Sequence, residues 1–303
     1  MSTWKSNLID GYRLATWPLR KLRMMQMRRS GTVPVAVLFY HRVDDEDVNP
    51  WTISEAGFKQ QIDWYQDNFD LVDLEECQRR IESGFNDRPT LSITFDDGYA
   101  DNCAFALPML IEREIPVTYF VTTHHPQQGE PFPHDLELDR PLSPNSIEGL
   151  AALSKAGVEI GGHTRTHVDL GKMPNSPELI DEVLVATREM ERMIDQKIRY
   201  FAFPYGQHAN LNPAVFRLLK EHGFQGVCSA YGGFNHIGDD AFHLQRLHGD
   251  PCFARMRNWL TFDPRLDSTP RYDYRTAPEI IRDLPKQPST KQPVSEKTKA
   301  TTS

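Results

Sequence analysis

Between residue 31 and about residue 265, short apolar runs rich in β-branched and aromatic residues alternate with longer segments whose apolar positions recur every three to four residues. The runs at 35–40 (Val-Ala-Val-Leu-Phe-Tyr), 91–95, 117–121, 158–161, 200–203 and 225–229 have strand length. Near-continuous apolar strands of this kind are buried on both faces, as in a parallel sheet covered by helices. The periodic segments at 55–69, 74–83, 101–114, 146–156, 176–195 and 212–222 predict those helices, and Gly84, Gly157 and Gly223 stand where three of them need a left-handed cap. With no GxGxxG and no Walker loop in the sequence, this alternation predicts a barrel rather than a nucleotide-binding open sheet.

Three stretches depart from the alternation. Residues 1–30 interleave Trp4, Leu8, Tyr12, Trp17, Leu19 and Leu22 with seven Lys/Arg against the single acid Asp10. They read as a basic amphipathic arm able to make peripheral contact with an anionic membrane, or else one that packs on the domain or is disordered; Pro18 predicts a break in any one long helix there. Residues 124–144 hold five prolines and no clear period, the signature of a long surface loop, which makes His124, His125 and His134 solvated loop histidines rather than ligands. Residues 266–303 form a C-terminal extension, expected to be disordered from about 285, where Pro, Ser, Thr and Lys dominate.

Composition adds a charge argument. The chain of 303 residues has a formal charge of −8, but both ends are basic, so residues 31–284 carry −17. Such a body excludes nucleic acid as the main partner. Four scattered cysteines (Cys77, Cys103, Cys228, Cys252) form neither a metal ribbon nor a disulfide framework. No secretory signal or membrane-spanning run is evident, and the expectation is a cytoplasmic protein.

Chemistry concentrates at predicted strand ends. The strand at 91–95 runs into Asp96-Asp97-Gly98, and adjacent carboxylates on extended chain point different ways, so one can bind a cation while the other faces a substrate. The strand at 158–161 runs into Gly162-His163-Thr-Arg-Thr-His167; histidines at i and i+4 share one face of a helical turn, and the paired glycines allow a sharp turn before it. Together these make a His-His-Asp divalent-ion site with open positions. Phe203-Pro204-Tyr205-Gly206 reads as a strand end and turn, and Arg246 and His248 fall on one face of a strand-like segment.

In this order, Thr94-Phe95-Asp96-Asp97-Gly98, His163-Thr-Arg-Thr-His167 and Phe203-Pro204-Tyr205-Gly206 resemble the motifs of the polysaccharide deacetylases of the NodB-homology type, the fourth family of carbohydrate esterases. The opening Phe39-Tyr40-His41-Arg42-Val43-Asp44 resembles a branch linked to exopolysaccharide loci. The resemblance covers about residues 33–262 and implies a distorted (β/α) barrel of about seven strands over 31–265. It implies a divalent metal, most often Zn2+, on Asp97, His163 and His167, with Asp96 as general base, and hydrolysis of N-acetyl or, less often, O-acetyl groups on a poly- or oligosaccharide that could be lipid-linked. In that chemistry the metal and the backbone N–H of Tyr205 hold the oxyanion.

Two positions depart from the family pattern. Many members carry an Arg two residues before the motif proline that pairs with the base; Ala202 stands here, and Arg246 is the candidate substitute from another strand. The family's Leu-x-His supplies an acid for the leaving amine; His248 is the nearest match, with Arg246 in the place of Leu and with His243 and His41 in reserve. Competing readings are a hydrolase of a non-sugar amide or cyclic imide on the same barrel, and a carbohydrate-binding barrel without turnover. The complete set Asp96, Asp97, His163 and His167 argues against the second.

Overall fold

In the computed structural model, which describes residues 3–267 and 269–275, the apolar runs become parallel strands: β1 (Val35–Tyr40), β2 (Arg42–Val43), β3 (Thr52–Ile53), β4 (Asp70–Leu71), β5 (Thr90–Phe95), β6 (Val117–Val121), β7 (Glu159–Gly162), β8 (Tyr200–Ala202), β9 (Gly226–Cys228), β10 (His243–Leu244) and β11 (Leu247–His248). The order β10-β9-β8-β7-β6-β5-β1-β11 is parallel throughout, with β4 added beside the start of β5 and β2–β3 forming a separate parallel pair. The two edge strands are joined by Gln245 and Arg246 alone. Three steps of extended chain from Leu244 to Leu247 reach at most about 10 Å, so the edges must approach one another and the sheet must curl round on itself. With β10 and β11 meeting at the seam, seven strand positions ring the barrel, as expected; β4 is extra.

The helices are α1 (Thr3–Ser30), α2 (Glu55–Asn68), α3 (Leu74–Glu82), α4 (Ala106–Glu112), α5 (His124–Gln128), α6 (Pro133–Glu137), α7 (Ile147–Lys155), α8 (Pro177–Ile180), α9 (Ala186–Ile194), α10 (Pro213–Glu221), α11 (Phe253–Leu260) and α12 (Pro264–Asp267). Their starts follow from side-chain caps: Ser54, Asp73, Ser146 and Asn212 each accept a backbone N–H of the first turn. Gly84, Gly157 and Gly223 take positive φ at the ends, as the stop signals predict. A π-helical stretch, Asp181–Val185, joins α8 to α9. All six residues of β1 and of β5 are buried; the β1 run is accordingly apolar throughout, whereas β5 alternates Thr90, Ser92 and Thr94 with Leu91, Ile93 and Phe95 and buries both sets.

Two expectations fail. Pro18 does not break α1, which runs unbroken through it. The lost N–H bond is offset by docking: Arg20 is buried and donates to the carbonyl and side-chain oxygens of Asn258 on α11. Nor is 124–144 a plain loop. It contains α5 and α6 and is pinned by Asp135, fully buried, which accepts from Tyr99 Oη at 2.8 Å and Asn49 Nδ2 at 3.4 Å. The expected disorder beyond residue 285 lies outside the described residues. Among the described residues no helix is long and apolar enough to cross a membrane.

Candidate metal centre and adjoining carboxylate

Asp96 and Asp97 follow β5 directly, and the backbone turns at once: Asp97 takes φ 72°. That left-handed conformation sends the two carboxylates apart, Asp97 towards β7 and Asp96 towards the barrel seam. The β7 glycines do not turn the chain, contrary to the sequence reading. They lie within the strand, where a Cβ on Gly161 would enter the Phe120 ring and one on Gly162 would meet Thr187 Oγ1 at 2.8 Å, so they permit close packing under the site.

His163 and His167 converge, but not along a helical turn. The segment between them is irregular, with Thr164 at φ 66° and His167 at φ 63°, and Thr164 Oγ1 accepts the His167 N–H at 2.9 Å. The ring centroids sit 5.1 Å apart. His163 Nδ1 lies 2.8 Å from the Ala202 carbonyl. A carbonyl only accepts, so Nδ1 carries the proton and Nε2 presents a lone pair. That Nε2 is 3.4 Å from Asp97 Oδ1, and His167 Nε2 is 3.2 Å from the same oxygen. One ligand atom from each of Asp97, His163 and His167 lies within 4.8 Å of the others.

Asp97 Oδ1 is buried and accepts no hydrogen bond. A buried anionic oxygen facing at least one imidazole lone pair is unfavourable unless a cation sits between them, and two nitrogens with one oxygen are the donor set of a catalytic zinc site. The residues therefore fit a divalent ion.

Asp96 is paired across the barrel seam. Arg246, fully buried between β10 and β11, donates from both terminal nitrogens to Asp96, at 2.6 Å to Oδ1 and 2.8 Å to Oδ2. It also donates to Thr94 Oγ1 and the Ser229 carbonyl, each at 3.0 Å, and lies over the rings of Phe39 and Phe120. Burial lowers the Arg246 pKa, but its neighbours together, Asp96 foremost, more than offset this and raise it. Ala202, at the position where the resemblance implies an Arg, instead gives its carbonyl to His163.

His248 sits on β11 opposite Phe39, with His41 6.3 Å away between ring centroids. Burial, and then the neighbouring His41, lower its pKa to about 4. His41, at the end of β1, is likewise lowered by burial, and its buried Nδ1 has no partner. Tyr205, half-exposed at φ 61°, places its ring 5.1 Å from His167, and the exposed Trp51 lies 6.1 Å from His41. His243 is not near the site: Nε2 meets Ser229 Oγ at 2.9 Å, and the ring packs on Phe216.

Three contributors escaped the sequence reading. Glu182, in the π-helical stretch, accepts the backbone N–H of Arg165 and Thr166 at 2.9 and 3.0 Å and the Thr166 hydroxyl at 2.7 Å, clamping the loop that carries both histidines. Phe132 and His134, from the supposed loop, stand 5.8 and 5.7 Å from the His167 ring. An acidic residue in a helical segment has no pattern that marks it as a clamp. The histidines and prolines of 124–144 were visible, but not their direction.

Residues 83–227 match the family model described as polysaccharide deacetylase. YxkH of Bacillus subtilis (strain 168), designated a polysaccharide deacetylase, is 23% identical over 220 residues, which are 71% of each chain. Among solved structures, the deacetylase PplD of Streptococcus pyogenes superposes with a TM-score of 0.63 at 18% identity, over 77% of this chain and 99% of that one. IcaB from Ammonifex degensii gives 0.62 at 24% identity, over 76% and 97%. Both share the curled parallel sheet with its outer helices. The sequence match over residues 83–227 and the order of the three motifs agree in likening this chain to the polysaccharide deacetylases, and its fold is the one these solved deacetylases share.

Proposed function

We propose that this protein is a metal-dependent hydrolase that removes N-acetyl groups from a poly- or oligosaccharide, free or lipid-linked. The observation that carries the reading is the buried, donor-less Asp97 Oδ1 facing His163 and His167, set beside a second carboxylate with its own cation. A divalent ion, most simply Zn2+, held by Asp97, His163 and His167 would supply Lewis acidity, bringing the pKa of water from ~15.7 towards ~7 and polarising the acetyl carbonyl. Asp96 is the proposed general base. Arg246 occupies one lone pair on each of its oxygens and fixes the carboxylate plane, leaving a second lone pair on either oxygen to take the proton of the attacking water.

The backbone N–H of Tyr205, on the turn beside His167, is the proposed partner of the developing oxyanion. His248 is the proposed donor to the departing amine. With its pKa lowered to about 4 it is neutral at pH 7, so its proton must arrive within the turnover rather than beforehand. Trp51 and Tyr205 flank the centre from the β1 and β8 sides, and their exposed rings suit the apolar faces of sugar units.

The test is acetate release by zinc-reconstituted protein from N-acetylated saccharides, short and polymeric, with Asp96→Asn and His163→Ala as controls. Release lost in both variants is expected. Release from non-sugar amides alone would overturn the carbohydrate reading, and failure of wild-type protein to bind a divalent ion would overturn the mechanism.

A further inference from the structure

Helix α1 presents two faces with different fates. One face is docked: Arg20 bonds Asn258 on α11, Asp10 pairs with Arg257 at 3.0 Å, and Met24 and Met27 pack against the main core. The opposite face carries Trp4, Leu8, Ala15, Leu19 and Leu22, at offsets of 4, 11, 15 and 18 residues from the first, which is a single stripe on a helix of 3.6 residues per turn. Trp4 is 60% exposed, Leu8 62%, Leu19 72% and Leu22 64%. At about 1.5 Å per residue the stripe is about 27 Å long. Large apolar side chains in so long an exposed row mark a contact surface.

The charge on this helix selects the partner. Lys5, Lys21, Arg28 and Arg29 are exposed along it, whereas residues 31–284 carry −17. An anionic surface therefore attracts α1 and repels the rest of the molecule, which orients the contact through the helix. A second copy of the chain meeting this face symmetrically would set two basic helices against each other. The stripe lies on the outer side of the helix, and Trp4 within it is exposed; an amphipathic tryptophan suits the boundary between head groups and acyl chains. We propose that α1 lies in the plane of an anionic lipid surface, with the Trp4–Leu22 stripe sunk into the head-group boundary and the exposed cations among the lipid phosphates.

The helix also sets where the metal centre would then stand. Its first turns lie by Cys252, since Ser6 Oγ is 3.8 Å from Cys252 Sγ, just beyond β11 and His248, and its last residue leads to the start of β1. Lying flat, α1 turns the strand ends that carry Asp96, Asp97 and His248 to open along the surface rather than away from it. Combined with the deacetylase reading, on which this last step alone rests, the substrate is a saccharide attached to lipid or lying against it.

The experiment is co-sedimentation of the full-length protein, without substrate, with phosphatidylcholine vesicles that do or do not contain phosphatidylglycerol. Uptake by the anionic vesicles is expected at low salt and at least about tenfold weaker uptake by the neutral ones. Leu8→Glu with Leu19→Glu and Leu22→Glu, all at exposed positions, should lower partitioning about a hundredfold while leaving the thermal midpoint unchanged. Should that triple variant not fold, Lys21→Gln with Arg28→Gln and Arg29→Gln must lower uptake and its salt dependence. Wild-type protein that stays in the supernatant, or a triple variant that sediments as wild type does, overturns the proposal. A wild-type dimer that the triple variant converts to monomer, without vesicle uptake, assigns the stripe to a second copy and overturns it as well. None of these outcomes depends on deacetylase activity.

Discussion

Arg246 makes the strongest demand on the fold, because it joins the barrel seam to Asp96. Replacing it by Met keeps most of the side-chain volume and removes the guanidinium, leaving the Asp96 carboxylate, 3% exposed, with no cation. Removing one member of a buried ion pair costs about 3–5 kcal/mol, since the remaining charge stays desolvated. Against a total stability of about 5–15 kcal/mol this is a large fraction of the whole. In urea titrations Arg246→Met should lower the midpoint without changing the slope. Asp96→Asn should also destabilise, because it strands the guanidinium. The double variant should be less destabilised than the sum of the two by about 2 kcal/mol or more, since it buries neither charge alone. Arg246→Lys should fall between, retaining charge but losing the two-pronged geometry. Acetate release should drop in Arg246→Met to nearly the level of Asp96→Asn. An Arg246→Met protein within about 1 kcal/mol of wild type, or strictly additive single changes, would refute the pairing as the device that holds Asp96.

Two further outcomes follow from the site and its surroundings. Glu182→Ala should weaken zinc binding by about 10- to 100-fold in a chelator competition titration, because its three bonds hold the loop between the two histidines; unaltered affinity would remove Glu182 from the supporting shell. His243 is held down to a pKa of about 3, first by burial and then by Arg271, whereas in the unfolded chain it titrates near 6.5. The unfolded state therefore binds the extra proton between these values, so this residue's contribution to stability is intact above about pH 6.5 and declines as pH falls towards 3. His243→Gln should flatten the acid side of the stability–pH curve relative to wild type, and a parallel curve would show that His243 does not carry the slope.

The barrel was legible wherever strands are buried on both faces. β1 and β6 match their runs residue for residue, because every residue of both is buried and nearly all are β-branched, aromatic or aliphatic. β10 and β11 were legible only as one strand-like segment around Arg246 and His248, because each has two residues and Gln245 and Arg246 split the pair at the seam. α5 and α6 were hidden because five-residue helices carry no measurable period, and prolines near their starts resemble loop residues. α1 was misjudged at Pro18, since one missing hydrogen bond is a local penalty and the docking of Arg20 a distant gain. The candidate site was more legible than the elements around it: Asp96, Asp97, His163 and His167 announce themselves by residue type, whereas Glu182 and the Ala202 carbonyl act through hydrogen bonds that no residue type reveals.

The mode of convergence of the histidines carries a further consequence. Helical spacing would have brought His163 and His167 together at no conformational cost, yet the chain uses left-handed backbone at Thr164 and His167, as it does at Asp97 and Tyr205. Outside glycine that conformation costs of the order of 1 kcal/mol or more per residue. Four such residues on loops at the ends of β5, β7 and β8 aim their groups at one small volume. The donors they deliver do not hold one another, since Asp97 Oδ1 finds no hydrogen there. What holds them is the surrounding fold: the Ala202 carbonyl on His163, the Thr164 hydroxyl under His167, Glu182 on the loop, and Phe120 and Thr187 packed against the two β7 glycines. The centre is thus a locally unfavourable arrangement imposed by its scaffold, and a cation would find its ligands already in place with little ordering left to do. Changes in that scaffold should therefore weaken ion binding before they unfold the barrel, which is why ion affinity is the sensitive readout for Glu182 and global stability the sensitive one for Arg246.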